Sequence, residues 1–482
     1  MAEFSTPDIC VIGAGAGGLA VAAGARAAGA SVVLIEKRAV GEDAPNSSSL
    51  AARALAAAAR RASYLRTAAP FGIANDEPKI NARGVFDHVH AVVEGVAADV
   101  TVERLTAQGI ELITTGARFV DRKTVAAGDR LIRANNFVLA TGSKPAIPQI
   151  PGLDGVPYFT SATIFDNPRK LTHLVIIGGG SVGIELAQAF CRLGSDVTVV
   201  DIATPLADRD PELVEIALRR LVDEGVVIRP NTTVTGVQMR SLGIGVSIKS
   251  GDGAEEVLDA SHILVATGRI PNLDGLELLK GGVQWYQKNG APHLLLRRNL
   301  RTTNRRVYAI GDVAGGEQYA QTAIHQARLV VRSALYGLPV RNDTRQVPSA
   351  IFTDPELAEI GLTEPEARRR RGDGYRVLRY SFVENDRARV ERQSYGTVKL
   401  VTGPSGKLLG AGIVGTGAAE MISLFALAIS QGMSVSHFRD FVAPYPTLTE
   451  IAQNLADEAA RDTAAGPVQR QLMALRRRLP WL

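Results

Sequence analysis

The chain has 482 residues, 46% of them hydrophobic and 21% charged, with a formal net charge of +5. That length exceeds what one hydrophobic core serves, so roughly two to four domains are expected, and the composition excludes a disordered chain. Basic residues are interspersed with acidic ones, which argues against a dedicated nucleic-acid surface, and the only two cysteines, Cys10 and Cys191, argue against a disulfide framework or a cysteine zinc site and fit a reducing, cytoplasmic setting.

The apolar run 9–35 lacks a basic leader region and contains six glycines plus Arg26, so it is read as a folded βαβ start and not as a membrane span or signal peptide. Residues 8–12 predict a buried strand that runs into Gly13, Gly15 and Gly18 and an alanine-rich helix through Ala28. This spacing suits a dinucleotide: a tight turn, a bare backbone at the pyrophosphate, and close helix packing. A second strand, 31–35, ends at Glu36, whose carboxylate is placed to accept hydrogen bonds from a ribose.

The pattern recurs. A strand at 174–177 is followed by Gly178, Gly180 and Gly183, a helix through Leu193, and a strand at 197–200 ending at Asp201. An acid at that place favours NAD(H) over NADP(H), because it repels a 2′-phosphate, although Arg209 nearby leaves NADP(H) open. Strands at 137–140 and 263–266 stop in the turns Thr141-Gly142 and Thr267-Gly268 and bracket the second fingerprint. One nucleotide domain therefore interrupts another, and 307–310 with Gly311 and Asp312 supplies a late strand to the first, Asp312 capping it near the cofactor.

The expected fold class is α/β, with two Rossmann-like dinucleotide-binding domains, one inserted in the other, plus a C-terminal α+β domain of strands and a helical run 418–431. The expected boundaries are 1–150 and 271–345 for the first nucleotide domain, 151–270 for the second, 346–465 for the C-terminal domain and 466–482 for a basic amphipathic tail. The arginine run 368–371 reads as a solvated helix end, and His88 and His90, two apart on a predicted helix, do not share a face and make poor metal ligands, so no metal is expected.

These motifs, together with 352–356 and 445–450, closely resemble the class I pyridine nucleotide-disulfide oxidoreductases, the group of dihydrolipoamide dehydrogenase and mercuric reductase, over about residues 7–460. The resemblance implies a homodimer in which Gly13, Gly15, Gly18 and Glu36 hold the adenosine half of FAD and Asp312 its ribityl side. Gly178, Gly180, Gly183 and Asp201 would hold the nicotinamide nucleotide, and 346–465 would form the dimer interface.

The chain departs from that family where its redox chemistry lies. The family's cysteine pair falls at Ala44 and Ser49, which cannot form a disulfide. The family's lysine becomes Arg53, while its glutamate partner is kept as Glu185; the family's histidine becomes Tyr445, followed by Glu450. Tyrosine titrates too high to shuttle protons as histidine does at neutral pH.

Without thiols, a reduced flavin must discharge directly, and the smaller Ala44 and Ser49 admit a planar acceptor such as a quinone. NADH oxidase, transhydrogenase and a non-catalytic flavoprotein sensor or scaffold remain alternatives. Ser181 leaves the nicotinamide side open or simply suits a tight turn, and His325 lies near the flavin or is a partly buried helix histidine. Past the family's end, Val468, Leu472, Leu475 and Leu479 form a helical stripe beside Arg470, Arg476, Arg477 and Arg478, with Trp481 following. Such a tail packs on the dimer or meets a protein or a membrane surface, which would make the protein peripheral to the inner face of the membrane.

Overall fold

The structure is a computed structural model that describes residues 3–38, 47–462, 471 and 475–477. The chain divides into two compact units, residues 1–206 with 221–344, and residues 207–220 with 345–482.

The first unit is built on two five-stranded sheets that are parallel throughout. One has the order Val307–Ala309, Asn136–Leu139, Ile9–Ile12, Val32–Glu36, Ile110–Thr114. The other has the order Phe159–Thr160, His262–Val265, His173–Ile177, Asp196–Val200, Val227–Arg229. Parallel strands covered on both faces need continuous apolar runs, and Ile9–Ile12 and Val307–Ala309 are buried along their whole length. The second sheet is contiguous in sequence, whereas the first takes strands from both sides of it, as the bracketing turns imply.

Element edges move by about a residue from those expected. The first strand starts at Ile9 because Asp8 turns its carboxylate onto Ser31, accepting from the Ser31 backbone N–H and hydroxyl at 2.8 Å each. The helix Ala16–Ala27 ends before Gly29, whose φ of +84° favours glycine. Asp312 sits on a 3-10 turn, Gly311–Ala314, just past its strand and not on the strand's last residue.

The second unit carries an antiparallel sheet in the order Ser349–Ile351, Glu356–Gly361, Leu408–Gly415, Thr397–Thr402, Arg376–Ser381. Phe382, Val398, Leu400, Ile413, Ile422, Phe425, Ile451 and Leu455 form its core with the helices Ala418–Ser430 and Glu450–Asp462. Elsewhere in this unit Lys399, 3% exposed, places its Nζ 2.9 Å from Asp210, 2.7 Å from Glu212 and 2.8 Å from Glu364. Burial pushes the Lys399 pKa down, but Glu212, Glu364 and Asp210 together outweigh it and hold the ammonium charged. Among the described residues no helix is long and apolar enough to cross a membrane.

Candidate functional site

Both fingerprint loops solve the same steric problem. Gly13 has φ +106°, and a Cβ there would collide with the Ala140 carbonyl; Gly178 has φ +111° and would collide with that of Ala266. A Cβ on Gly18 would strike the Gly13 oxygen and one on Gly183 the Gly178 oxygen, so each helix starts against its own turn. The middle glycines differ. A Cβ on Gly15 or on Gly180 meets nothing within 4 Å. These two positions need no glycine for the fold itself, and a bare backbone facing open space at a helix N-terminus fits a pyrophosphate. The residues present therefore fit a dinucleotide at both loops.

Each strand-ending acid is tied to its loop. Glu36 accepts from the Ala14 N–H at 2.6 Å and from the Arg38 N–H at 3.1 Å. Asp201 accepts from the Gly179 N–H at 2.5 Å and from the Ala203 N–H at 2.8 Å. Two backbone bonds leave lone pairs on each carboxylate for ribose hydroxyls. Arg209 is engaged elsewhere: its Nη1 donates to Ser349 Oγ at 2.8 Å and lies 3.7 Å from Glu359, and its Nη2 is 3.1 Å from Asp208.

The turns beside the loops involve residues that the motifs did not single out. Thr141 donates its hydroxyl to the Asn272 carbonyl at 2.7 Å, and Asn272 returns a bond from Nδ2 to the Thr141 carbonyl at 3.0 Å. The Asn272 N–H also bonds the carbonyl of Gly142, which has φ +67°. Gly268 occupies the equivalent turn with φ +119°. Asp312 accepts from Ser143 Oγ at 2.5 Å, and Arg269 donates to that same hydroxyl at 2.7 Å while lying 3.8 Å from the carboxylate. The Gly311 N–H is satisfied by Gln326 Oε1 at 2.7 Å. Asn272, Ser143, Arg269 and Gln326 carry no pattern; Ser143 and Arg269 directly follow the Gly142 and Gly268 turns, and that adjacency was the only available signal.

Between the two nucleotide modules, Arg53 on helix Ser47–Arg66 reaches Glu185 on helix Ser181–Arg192 with Nη1 to Oε2 at 2.6 Å. Glu185 is 8% exposed and Arg53 33%. Lower on the same helix, Arg66 donates to the Arg192 carbonyl at 2.6 Å. Ser49 lies exposed in the first turn of Ser47–Arg66, and Ala44 lies outside the described residues. Cys10 is buried in its strand, where desolvation pushes its thiol pKa far up. Cys191 is also pushed up, first by burial and then by Glu224, to whose carbonyl its Sγ donates at 3.3 Å.

In the second unit Tyr445 is 74% exposed and donates its hydroxyl to Asp386 at 3.0 Å, a bond that raises its pKa. Glu450 does not share that bond; it accepts from the Thr447 N–H at 2.8 Å at the start of helix Glu450–Asp462. Back in the first unit, His325 is half-buried on helix Ala320–Tyr336, and desolvation, then Arg328, lowers its pKa. His88 and His90 are exposed on helix Ala82–Ala97, and the described residues hold no cluster of three metal-ligating side chains. Ser181 is the first residue of its helix.

The family model of the pyridine nucleotide-disulphide oxidoreductases matches residues 7–327, and the model of their dimerisation domain matches 347–456. A mercuric reductase of Streptomyces lividans is 32% identical over 465 residues, covering 95% of this chain and 97% of its own. A dihydrolipoyl dehydrogenase of Haloferax volcanii is 30% identical over 464 residues, covering 94% and 96%. The solved structure of an HOCl-induced flavoprotein disulfide reductase from Escherichia coli is similar with a TM-score of 0.79 at 24% identity, covering 93% of this chain and 99% of that one, a likeness of fold.

Proposed function

The chain belongs to the pyridine nucleotide-disulphide oxidoreductase family, and from that premise we propose that it is a homodimeric, FAD-dependent oxidoreductase that uses NADH in preference to NADPH and reduces a non-disulfide acceptor of quinone type. Bound FAD and NAD(P)H supply the hydride and electron chemistry, and the chain supplies binding, orientation and charge.

Gly13, Gly15, Gly18 and Glu36 would hold the adenosine half of FAD, with Thr141, Gly142, Gly311 and Asp312 toward its ribityl side. Gly178, Gly180, Gly183, Gly268 and Asp201 would hold the nicotinamide nucleotide. Asp201 disfavours a 2′-phosphate, and Arg209, engaged by Glu359 and Ser349, does not offset it. The Arg53–Glu185 pair, a guanidinium on a carboxylate, joins two helices and orients them against each other.

The observation that carries the reading is two intact dinucleotide loops in a chain whose only two cysteines are both shielded from ionising. A thiol relay needs thiolates. Ser49 stores no electrons, and Tyr445, its pKa raised by Asp386, does not replace an imidazole as an acid–base group at neutral pH.

An anaerobic titration of the purified flavoprotein with NADH, followed by flavin absorbance, tests this. Bleaching complete at about one equivalent per flavin, and reversed by a soluble quinone, is expected. Reoxidation by oxygen or NADP+ but not by quinone would replace the acceptor assignment with oxidase or transhydrogenase activity. An unchanged spectrum with both NADH and NADPH would make the flavin a non-catalytic element.

A further inference from the structure

The second unit carries an apolar groove that its own described chain leaves uncovered. Helix Ala418–Ser430 and the 3-10 turn Val435–Arg439 bound about 230 Å³ lined by Leu424, Leu427, Ala428, Met433, Phe438 and Phe441, with His437 and Asp440 also facing it. Leu427 is 61% exposed there. The volume falls below the roughly 300–1,000 Å³ of small-molecule sites, and the lining has few polar groups to orient a ligand. It suits aliphatic side chains projecting from a helix.

The chain contains such a helix signal. Helix Glu450–Asp462, the last described element before the tail, packs on the turn Val435–Arg439 that forms one wall of the groove, with Arg439 Nε 3.6 Å from Asp457. Residues 463–482 contain four arginines and no acid, and Val468, Leu472, Leu475 and Leu479 recur at four, three and four, the spacing of one helix face. The turn Leu475, Arg476, Arg477 is helical, and Leu475 is 53% exposed. Among the described residues, none covers the stripe at Leu475.

We propose that residues 467–482 of one copy lay this leucine stripe into the groove of a second copy, with the tail arginines meeting Asp440. The inference rests on the homodimer reading. A twofold arrangement fills both grooves with both tails at once and covers Leu475, which the described residues leave exposed. The surface lies in the unit that matches the dimerisation domain of the family. The tail's basic face meets an acidic residue at the groove, whereas an acidic tail would be repelled.

Cross-linking distinguishes the occupants. In a Cys191→Ser background, with Cys10 buried and unreactive, Leu427→Cys and Leu475→Cys are made as separate single variants and mixed. A short bismaleimide should yield a band of dimer mass only in the mixture. Deleting 463–482 should speed amide hydrogen exchange across 433–441 about tenfold, and Leu475→Asp should do the same. A cross-link of monomer mass in the double variant, with none between the mixed single variants, would place the tail on its own chain and overturn the proposal. So would absence of any cross-link with exchange unchanged. Leu475-dependent sedimentation with vesicles of anionic phospholipid, again with exchange at 433–441 unchanged, would assign the tail to a membrane surface instead. Light scattering on the parent protein separates the two failures: a monomer there defeats the homodimer reading, while a dimer without tail contacts defeats only this inference.

Discussion

Glu185 is an almost buried carboxylate that pairs with Arg53, one-third exposed. Removing one member of a buried pair strands the other, at about 3–5 kcal/mol for full burial, and solvent at Arg53 reduces this to about 1–3 kcal/mol. Arg53→Ala should lower the urea midpoint accordingly, and adding Glu185→Gln should restore most of the loss; a double variant as unstable as the single one would show that the arginine acts through packing. Asp201 offers a second residue-scale test. With its carboxylate held at the loop by Gly179 and Ala203, Asp201→Asn should weaken NADH binding about tenfold while leaving NADPH binding equal or tighter, measured by calorimetry. Parallel losses for both nucleotides would mean that Asp201 serves the loop and not the choice of nucleotide. Asp201 was legible in the sequence as the acid that ends the strand after a glycine fingerprint, and Glu185 through the family resemblance that pairs it with Arg53. Asn272, Ser143 and Gln326 were not, since a hydrogen bond across 131, 169 or 15 residues leaves no periodicity to read.

At the scale of elements, the polar cluster in the second unit sets how that unit responds to pH. Burial pushes Glu359 up to about 7, against the Asp210 N–H and Arg209, which favour its charge; Asp210 and Asp208 add to the rise. Between about pH 4.5 and 7 the folded unit keeps a proton that the unfolded chain has released, so stability falls as pH rises, by about 3 kcal/mol in all. Glu212 acts in the opposite sense. Its bond to Arg379, helped by Lys399, lowers its pKa to about 2, so its contribution is present above about pH 4.5 and fades as pH drops toward 2. Thermal unfolding should therefore show greatest stability of this unit near pH 4.5, and Glu359→Gln should flatten the decline above it; a decline of unchanged slope would remove Glu359 as its source. The helix and strand periods announced the sheets, but not this cluster. Lys399 lies in an apolar strand and meets Asp210 from 189 residues away, so its burial reflects tertiary pairing that overrides the usual exposure of lysine.

For the whole molecule, the class of fold and the interrupted nucleotide domain followed from two repeated strand–glycine–helix signals and the turns that bracket the second. The grouping of 207–220 with 345–482 did not follow, because it is made by side chains of the inner segment, Arg209, Asp210 and Glu212, reaching Glu359, Lys399 and Arg379. Sequence position alone assigned that stretch to the second nucleotide domain.

The interleaving of the two parallel sheets also orders events during synthesis. The second sheet draws every strand from residues 159–265 and can close as soon as that stretch has left the ribosome. The first cannot: the outer edge of Asn136–Leu139 waits for Val307–Ala309. At about 5–20 residues per second that wait is on the order of ten seconds. During it an apolar parallel edge stands unpaired, the kind of surface that recruits chaperones or neighbouring nascent chains. Rare codons between 140 and 306 would lengthen the exposure, so translation speed across the inserted domain bears directly on how much of this protein reaches its native state.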